Sequence, residues 1–203
     1  MKITAIGLVG AALCLAVALF AVLRLSTEES AAAAQMVDQY VTFYSWLDND
    51  PPGSAIAYSR TSHSRTVHES AGGTGTYADP ITTATDPTAW AVGTRMYAPF
   101  LRKYLVIEDW CASCVQDWRQ SRRRHIDVWL NSNATTGEAV HQCAYRWTQE
   151  TAPIEINPPR NRPVDTRPLF DTSTNTCLES TFASGFPFRF SLWAGGHPGL
   201  PWW

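Results

Sequence analysis

Residues 125–131 read HIDVWLN, a short strand-like run interrupted by one aspartate. Because side chains alternate between the two faces of a strand, the run divides into two sets. One set is Ile126, Val128 and Leu130, and the other is His125, Asp127 and Trp129. The aliphatic set is expected to face the core. Asp127 then points away from the core, either onto a cleft floor where a sugar ring could stack on Trp129 or onto a solvated sheet face.

A second aspartate lies at the end of another strand-like run, KYLVIED at residues 103–109. Unless a bulge intervenes, alternation places Leu105, Ile107 and Asp109 on one face, so Asp109 follows the core side. A buried carboxylate either accepts hydrogen bonds or has a raised pKa. The alternative is that Asp109 caps a turn before residues 110–114, WCASC.

Short strand-like runs are frequent along the chain and helical periodicity is scarce, which predicts a mostly β architecture. Residues 111–124 are predicted to contain a short helix or an extended loop, and the polar, glycine-rich residues 59–76 a long surface loop. Strands are predicted at residues 40–46, 94–100, 103–109, 124–130 and 154–159, with the second and third forming a hairpin.

The length of 203 residues favours one sizeable core, which we assign to a single domain at residues 35–179. Residues 180–203 are rich in Gly, Pro and aromatic residues without periodicity and are expected to be an appendage. The net charge of −2 gives no cationic field for nucleic acid, so no nucleic-acid partner is expected.

Residues 3–23 are uncharged and about the length of a membrane-spanning helix, which predicts an apolar targeting helix within residues 1–34. Two interpretations stay open: an uncleaved signal anchor, or a signal peptide cleaved near the small residues 31–34. In either case the barrel lies outside the cytoplasm, secreted or anchored, and contacts the membrane only through this segment.

Four cysteines remain outside the targeting segment, an even number that predicts two structural disulfides in an exported protein. They allow three pairings, of which 111 with 114 and 143 with 177 needs the least rearrangement. His63, His68 and His125 lack tight ligand spacing, so neither a metal nor a cofactor is expected. The four cysteines are Cys111, Cys114, Cys143 and Cys177.

Three motifs in succession carry a resemblance: GTGTYADP (73–80), VGTRMYAPFLRKYLVIED (92–109) and HIDVWLN. They look like the pattern of the three-aspartate domain of some lytic transglycosylases. VTFYSW (41–46) and HIDVW also resemble the TxY and HFD motifs of family-45 endoglucanases and of the catalytic-like domain of expansins. The chain is further similar to small secreted proteins, many of them fungal. The resemblance covers roughly residues 40–145 and implies a six-stranded double-psi β-barrel with long loops.

The resemblance also implies roles for individual residues. Asp127 corresponds to the general acid of those enzymes, and Asp109 and Asp79 to the supporting aspartates. The base that follows TxY in the endoglucanases has no counterpart in place, since Asp48 and Asp50 are displaced along the chain, and expansins lack that base. Residues expected to bind substrate are Tyr44, Trp129, His125, Trp110 and Trp118.

Together these observations predict an exported, monomeric, carbohydrate-active protein. The preferred hypothesis is a glycosidase or lytic transglycosylase that acts on a cell-wall or extracellular polysaccharide with Asp127 as its acid. Two alternatives use the same scaffold: a non-catalytic, expansin-like wall-binding protein, and a secreted inhibitor or effector.

Overall fold

The computed structural model describes residues 33–178. The predicted targeting helix falls almost entirely, and the predicted C-terminal appendage wholly, outside these residues. Within them lie eight strands and two helices: β1 (Gln35–Tyr44), β2 (Ile81–Thr85), β3 (Arg95–Ala98), β4 (Lys103–Trp110), α1 (Ala112–Ser121), β5 (His125–Trp129), α2 (Gly137–Trp147), β6 (Gln149–Ile156), β7 (Phe170–Asp171) and β8 (Thr176–Cys177).

Six strands close into a barrel in the order β1-β5-β2-β4-β3-β6, and β7 pairs with β8 in a separate hairpin. Strand β5 lies parallel to β1 and antiparallel to β2, while β2 and β4 are parallel to each other. The mostly β prediction and the six-stranded barrel are confirmed. Neither helix in the described part of the chain has the length and apolarity that a membrane crossing requires.

The barrel core is built from the aliphatic faces of the strands. Ile126, Val128 and Leu130 are fully buried, as the alternation in HIDVWLN predicts. The face of β5 that carries Asp127 is partly covered, because Tyr40, Tyr44 and α1 pack around it.

Helix α1 occupies the region predicted as a short helix or extended loop. Cys111 caps its start by accepting a hydrogen bond from the Cys114 backbone N–H at 3.1 Å, and the helix ends at Arg122, which adopts the left-handed conformation (φ 57°). The two predicted disulfides are confirmed, joining Cys111 to Cys114 and Cys143 to Cys177. The second links α2 to β8.

The predicted hairpin is confirmed as the antiparallel pair β3–β4. Strand β4 does contain an irregularity against β2, since Thr83 pairs with Ile107 while the next residue, Ala84, pairs with Asp109. Asp109 is nevertheless buried, because every residue of β4 before Trp110 is buried. The residue skipped by this pairing is Glu108, which is completely buried.

Candidate active site

A pocket of about 520 Å³ opens beside the shared edge of β1 and β5. Strand β1 forms one wall, and the loop after it, the start of β5 and helix α1 form the rest. Most of the lining side chains are polar or charged, so the pocket suits a hydroxyl-rich ligand better than an apolar one. The lining residues are Tyr40, Thr42, Phe43, Tyr44, Asp48, Ser113, Asp117, Arg123, His125 and Asp127.

Asp127 is half-buried in this pocket, at the centre of β5. The parallel register sets it opposite Thr42, whose hydroxyl oxygen lies 2.7 Å from Asp127 Oδ1 and donates to it when the carboxylate is ionised. Burial raises the pKa of Asp127 to about 7, and the nearby charges of Asp48 and Asp109 act in the same direction, against the hydrogen bond from Thr42. A carboxyl with this pKa holds its proton at mildly acidic pH and can donate it.

Asp48 supplies a second carboxylate to the same pocket, from the loop after β1. Its Oδ2 accepts hydrogen bonds from the Ser45 backbone N–H at 2.8 Å and from the Ser45 hydroxyl at 2.7 Å. The other oxygen, Oδ1, lies 3.6 Å from His141 Nε2. The Asp48 side chain is 41% exposed, so it remains in contact with water.

His125 lines the pocket but is only 4% exposed, and both of its ring nitrogens are engaged. Nε2 lies 2.8 Å from the Thr42 hydroxyl, and Nδ1 lies 2.8 Å from Asp117 Oδ2 on α1. The ring also packs against Tyr40, with centroids 4.4 Å apart. Burial lowers the pKa of His125, although Asp117 opposes that shift. His125 is therefore better placed to orient other pocket side chains than to bind a substrate directly.

Trp129 differs from the expectation of an open stacking platform. It is 3% exposed, because Tyr44 packs edge-on against its ring with centroids 5.2 Å apart. Trp129 does share a face of β5 with Asp127, but Tyr44 covers the Trp129 end of that face, whereas Asp127 borders the pocket. Tyr44 does line the pocket, and its hydroxyl donates to Asp109 Oδ2 at 2.7 Å.

Asp109 lies behind Tyr44 and outside the pocket lining. Its Oδ1 accepts hydrogen bonds from the backbone N–H groups of Ala57, at 2.9 Å, and Trp110, at 2.8 Å. Burial raises the pKa of Asp109. Both sequence interpretations hold in part, since this carboxylate is buried and also caps the turn before Cys111. Its contacts are with the protein itself, which suits a structural role.

Asp79 lies in a different network from Asp127. Its Oδ1 is 2.9 Å from Nε2 of His68, and the other ring nitrogen of His68 contacts the buried Glu108. Thr74 donates to Asp79 Oδ2 from its backbone N–H at 3.0 Å and from its hydroxyl at 2.8 Å. The structure thus does not bring Asp79 to the pocket with Asp127, because His68 holds it elsewhere.

The two remaining predicted binding residues also lie outside the pocket lining. Trp110 is 51% exposed, and Trp118 packs against the guanidinium groups of Arg122 and Arg124, whose central carbons lie 5.2 and 5.7 Å from its ring. Cys111, Cys114 and His125 place ligand-type atoms within 4.8 Å of one another. The two sulfurs are joined in a disulfide, however, and metals bind the thiolate form.

Several pocket residues were not identified from the sequence. Thr42 belongs to the quoted TxY motif, and its register with Asp127 follows once β1 and β5 are known to be parallel. Asp117 gave no signal, because only the folded position of α1 brings it to His125. Arg123 lies in a run of three arginines, residues 122–124, and its guanidinium lies 3.7 Å from the centre of the Tyr40 ring at the pocket.

The family model for the DDB_G0273701 N-terminal domain matches residues 36–178, which run from β1 to β8. A Dictyostelium discoideum protein described as "Uncharacterized protein DDB_G0273701/DDB_G0273221" is 35% identical over 152 residues, which make up 74% of this chain and 64% of that protein. The chain therefore spans a little under two thirds of that relative's length. No solved structure matches the chain.

Proposed function

The chain belongs to the DDB_G0273701 N-terminal domain family, and we propose that its barrel cleaves a glycosidic bond in a polysaccharide with Asp127 as the general acid. We further propose that the barrel is of the double-psi type, which the two parallel strand pairs within the closed six-stranded sheet support. The barrel is proposed to act outside the cytoplasm, on a cell-wall or extracellular glycan. The two disulfides are in keeping with that location.

One observation carries the proposal: Asp127 lines an open, polar pocket, where burial raises its pKa to about 7. Breaking a glycosidic bond requires a proton on the departing oxygen. A carboxyl that stays protonated at mildly acidic to neutral pH supplies that proton as the bond between the anomeric carbon and the oxygen breaks.

Asp48 is the proposed partner carboxylate. It lines the same pocket and remains partly exposed, so it can accept a proton from a water molecule that attacks the anomeric carbon. One water is then consumed for each bond cleaved, its proton passing to Asp48 while Asp127 protonates the leaving group. In inverting glycosidases such a pair is roughly 6.5–9.5 Å apart.

A second candidate function is glycan binding without cleavage, as in the expansin-like hypothesis. The contacts of Asp48 favour it, because one oxygen is held by Ser45 and the other lies near His141. A carboxylate fixed in this way could stabilise the loop after β1 instead of acting as a base. The pocket would then retain its polar lining and bind a sugar without consuming it.

The test is incubation of the full-length protein with a panel of cell-wall and extracellular glycans, followed by analysis of bound and shortened chains. We expect Asp127→Asn to lower turnover by roughly 10² to 10⁴ while glycan binding is retained. Asp48→Asn should also lower hydrolysis. Asp38→Asn, which changes an exposed aspartate at the far end of β1, is the matched control and should leave turnover unchanged.

The products separate the candidates. A hydrolase releases reducing ends, whereas a lytic transglycosylase on peptidoglycan leaves 1,6-anhydro ends. Glycan binding with no new chain ends from the wild type would favour the binding function. Equal cleavage by the wild type and Asp127→Asn would remove Asp127 from the role of acid.

A further inference from the structure

A continuous chain of hydrogen bonds connects helix α1 to the pocket carboxyl. Asp117 Oδ2 lies 2.8 Å from His125 Nδ1, and His125 Nε2 lies 2.8 Å from the Thr42 hydroxyl oxygen. That oxygen in turn lies 2.7 Å from Asp127 Oδ1. Three elements contribute to the chain: α1 supplies Asp117, β5 supplies His125 and Asp127, and β1 supplies Thr42.

The single hydroxyl hydrogen of Thr42 restricts how protons can be arranged along this chain. Thr42 can donate to only one of its two neighbours, so the other neighbour must donate to the Thr42 oxygen. If His125 is neutral with its hydrogen on Nδ1, Thr42 donates to Nε2 and Asp127 must be protonated. If His125 is charged, Nε2 donates to Thr42, and Thr42 donates to an ionised Asp127.

The surroundings favour the neutral arrangement. His125 is almost completely buried, which disfavours its charged form, and the Asp117 carboxylate accepts the Nδ1 hydrogen and so fixes the neutral tautomer. Burial lowers the pKa of His125 and raises that of Asp127, in agreement with this arrangement. The ionisable groups near the two residues are Asp48 and Asp109 for Asp127, and Tyr40, Asp117, Arg123 and Glu150 for His125.

We propose that Asp117 is a positioning residue that fixes the tautomer of His125 and, through Thr42, keeps Asp127 protonated. The proposal rests on the proposed role of Asp127 as an acid. It gives helix α1 a function in the pocket, because α1 carries Asp117, and the disulfide between Cys111 and Cys114 joins the cap of this helix to its first turn. Asp117 need not touch the substrate, since it acts through two intervening side chains.

The test follows the carboxyl ¹³C signal of Asp127 against pH in the full-length wild type and in Asp117→Ala, Thr42→Val and the double variant. Without Asp117, His125 can carry its hydrogen on Nε2 and donate to Thr42, which leaves the Thr42 hydrogen free for an ionised Asp127. We therefore expect Asp117→Ala to lower the Asp127 titration midpoint by about one pH unit, a roughly tenfold change in its dissociation constant.

The double variant separates two ways in which Asp117 could affect Asp127. One is the relay, meaning the chain of hydrogen bonds through His125 and Thr42, and the other is the direct effect of the Asp117 charge. In the Thr42→Val background the hydrogen-bonded connection is broken, so Asp117→Ala should shift the Asp127 midpoint by less than a third of its effect in the wild type. An equal shift in both backgrounds, or no shift in either, would overturn the relay. Asp38→Ala, the exposed control on β1, should leave the midpoint unchanged.

A second readout uses the ring ¹⁵N signals of His125. We expect the hydrogen on Nδ1 in the wild type and in Asp117→Asn, whose amide oxygen can still accept it, and a mixture of tautomers in Asp117→Ala. A mixture already present in the wild type would contradict the proposal. Neither readout depends on glycan cleavage. The experiments can therefore disprove the relay in a protein that cleaves glycans, and can support it in a protein that does not.

Discussion

The three aspartates that the resemblance groups together lie in three different environments. Asp127 is in the pocket, Asp109 is buried behind Tyr44, and Asp79 is bound by His68. The pKa follows the environment: burial raises it for Asp127 and Asp109, whereas for Asp79 the hydrogen bonds from His68 and Thr74 outweigh burial and lower it. Of the three, Asp127 alone combines a raised pKa with access to the pocket.

Asp109 is predicted to matter for stability more than for proton transfer. Asp109→Asn should lower the free energy of unfolding by about 1–3 kcal/mol, because an NH2 group replaces one of the two acceptor oxygens and one of the three donors loses its acceptor. Tyr44→Phe removes a single donor and should cost about 1 kcal/mol. Urea unfolding measures both, and an Asp109→Asn protein with wild-type stability would contradict the structural role.

The sequence allowed prediction of the position of Asp127 but not of its surroundings. Alternation within HIDVWLN is a local property, so it placed the carboxyl opposite the aliphatic face. Whether that face is open depends on what the rest of the chain packs against it. Tyr44 covers Trp129, and Asp117 contacts His125 from helix α1, which lies between β4 and β5 in the chain. Neither contact follows from residue spacing.

At the level of elements, the sequence analysis did not predict β2, α2 or the two-residue strands β7 and β8. The reasons can be given for β2 and α2. Strand β2, ITTAT, is buried at every position and lies between two other strands, so it shows no polar–apolar alternation. Helix α2 does carry a signal that was overlooked: its buried residues Val140, Cys143 and Trp147 follow the spacing i, i+3 and i+7 of one helix face.

His68 lies between the carboxylates of Glu108 and Asp79 and links the loop before β2 to strand β4. Nδ1 of His68 contacts Glu108 and Nε2 contacts Asp79, so only the charged ring can donate to both. Burial acts to lower the pKa of His68, but the two hydrogen bonds outweigh it and raise the pKa above the usual value of 6.5. The same contacts, together with donors from Val67 and Thr82, lower the pKa of Glu108 against its burial.

His68→Gln should therefore destabilise the protein in a pH-dependent way. Its cost should be about 2–4 kcal/mol near pH 6, because a buried carboxylate loses its charged partner. The charge-dependent part of the His68 contribution is complete below pH 6.5 and is lost as pH rises through the raised pKa, so the cost of the substitution should shrink there. At acid pH the cost should also fall, as the carboxylates become protonated through their lowered pKa values.

Chemical unfolding from pH 4 to pH 9 measures this dependence. His63→Gln, in the same loop, is the matched control, since its ring contacts Ser62 and Tyr58 instead of a carboxylate. A cost of His68→Gln that does not vary with pH would show that the charged ring contributes nothing.

On the scale of the whole molecule, the barrel is closed by strands distant in sequence, and one disulfide adds a long-range link. The bridge between Cys143 and Cys177 spans 34 residues and joins α2 to β8, whereas the bridge between Cys111 and Cys114 spans three. The even number of cysteines, together with the expected export, predicted two disulfides. The closed barrel could be predicted only from the resemblance, because no local sequence pattern specifies which strands pair.

The two bridges should contribute unequally to stability. Replacing Cys143 and Cys177 together with Ser should lower the free energy of unfolding by about 4 kcal/mol, and replacing Cys111 and Cys114 by about 2 kcal/mol, because the longer loop gains more entropy on unfolding. Thermal or urea unfolding of the two variants compares them. A larger loss from the short bridge would show that its effect on α1 outweighs chain entropy.

The titration of the Asp127 carboxyl in the folded wild-type protein tests the proposed acid most directly. Its ¹³C signal can be followed against pH and assigned by its disappearance in Asp127→Asn. A pocket that keeps this carboxyl protonated requires a midpoint near pH 7. A midpoint near the ordinary aspartate value of 3.8 would mean that Asp127 is ionised at neutral pH, and the pocket would then lack the acid on which the proposed glycan cleavage depends.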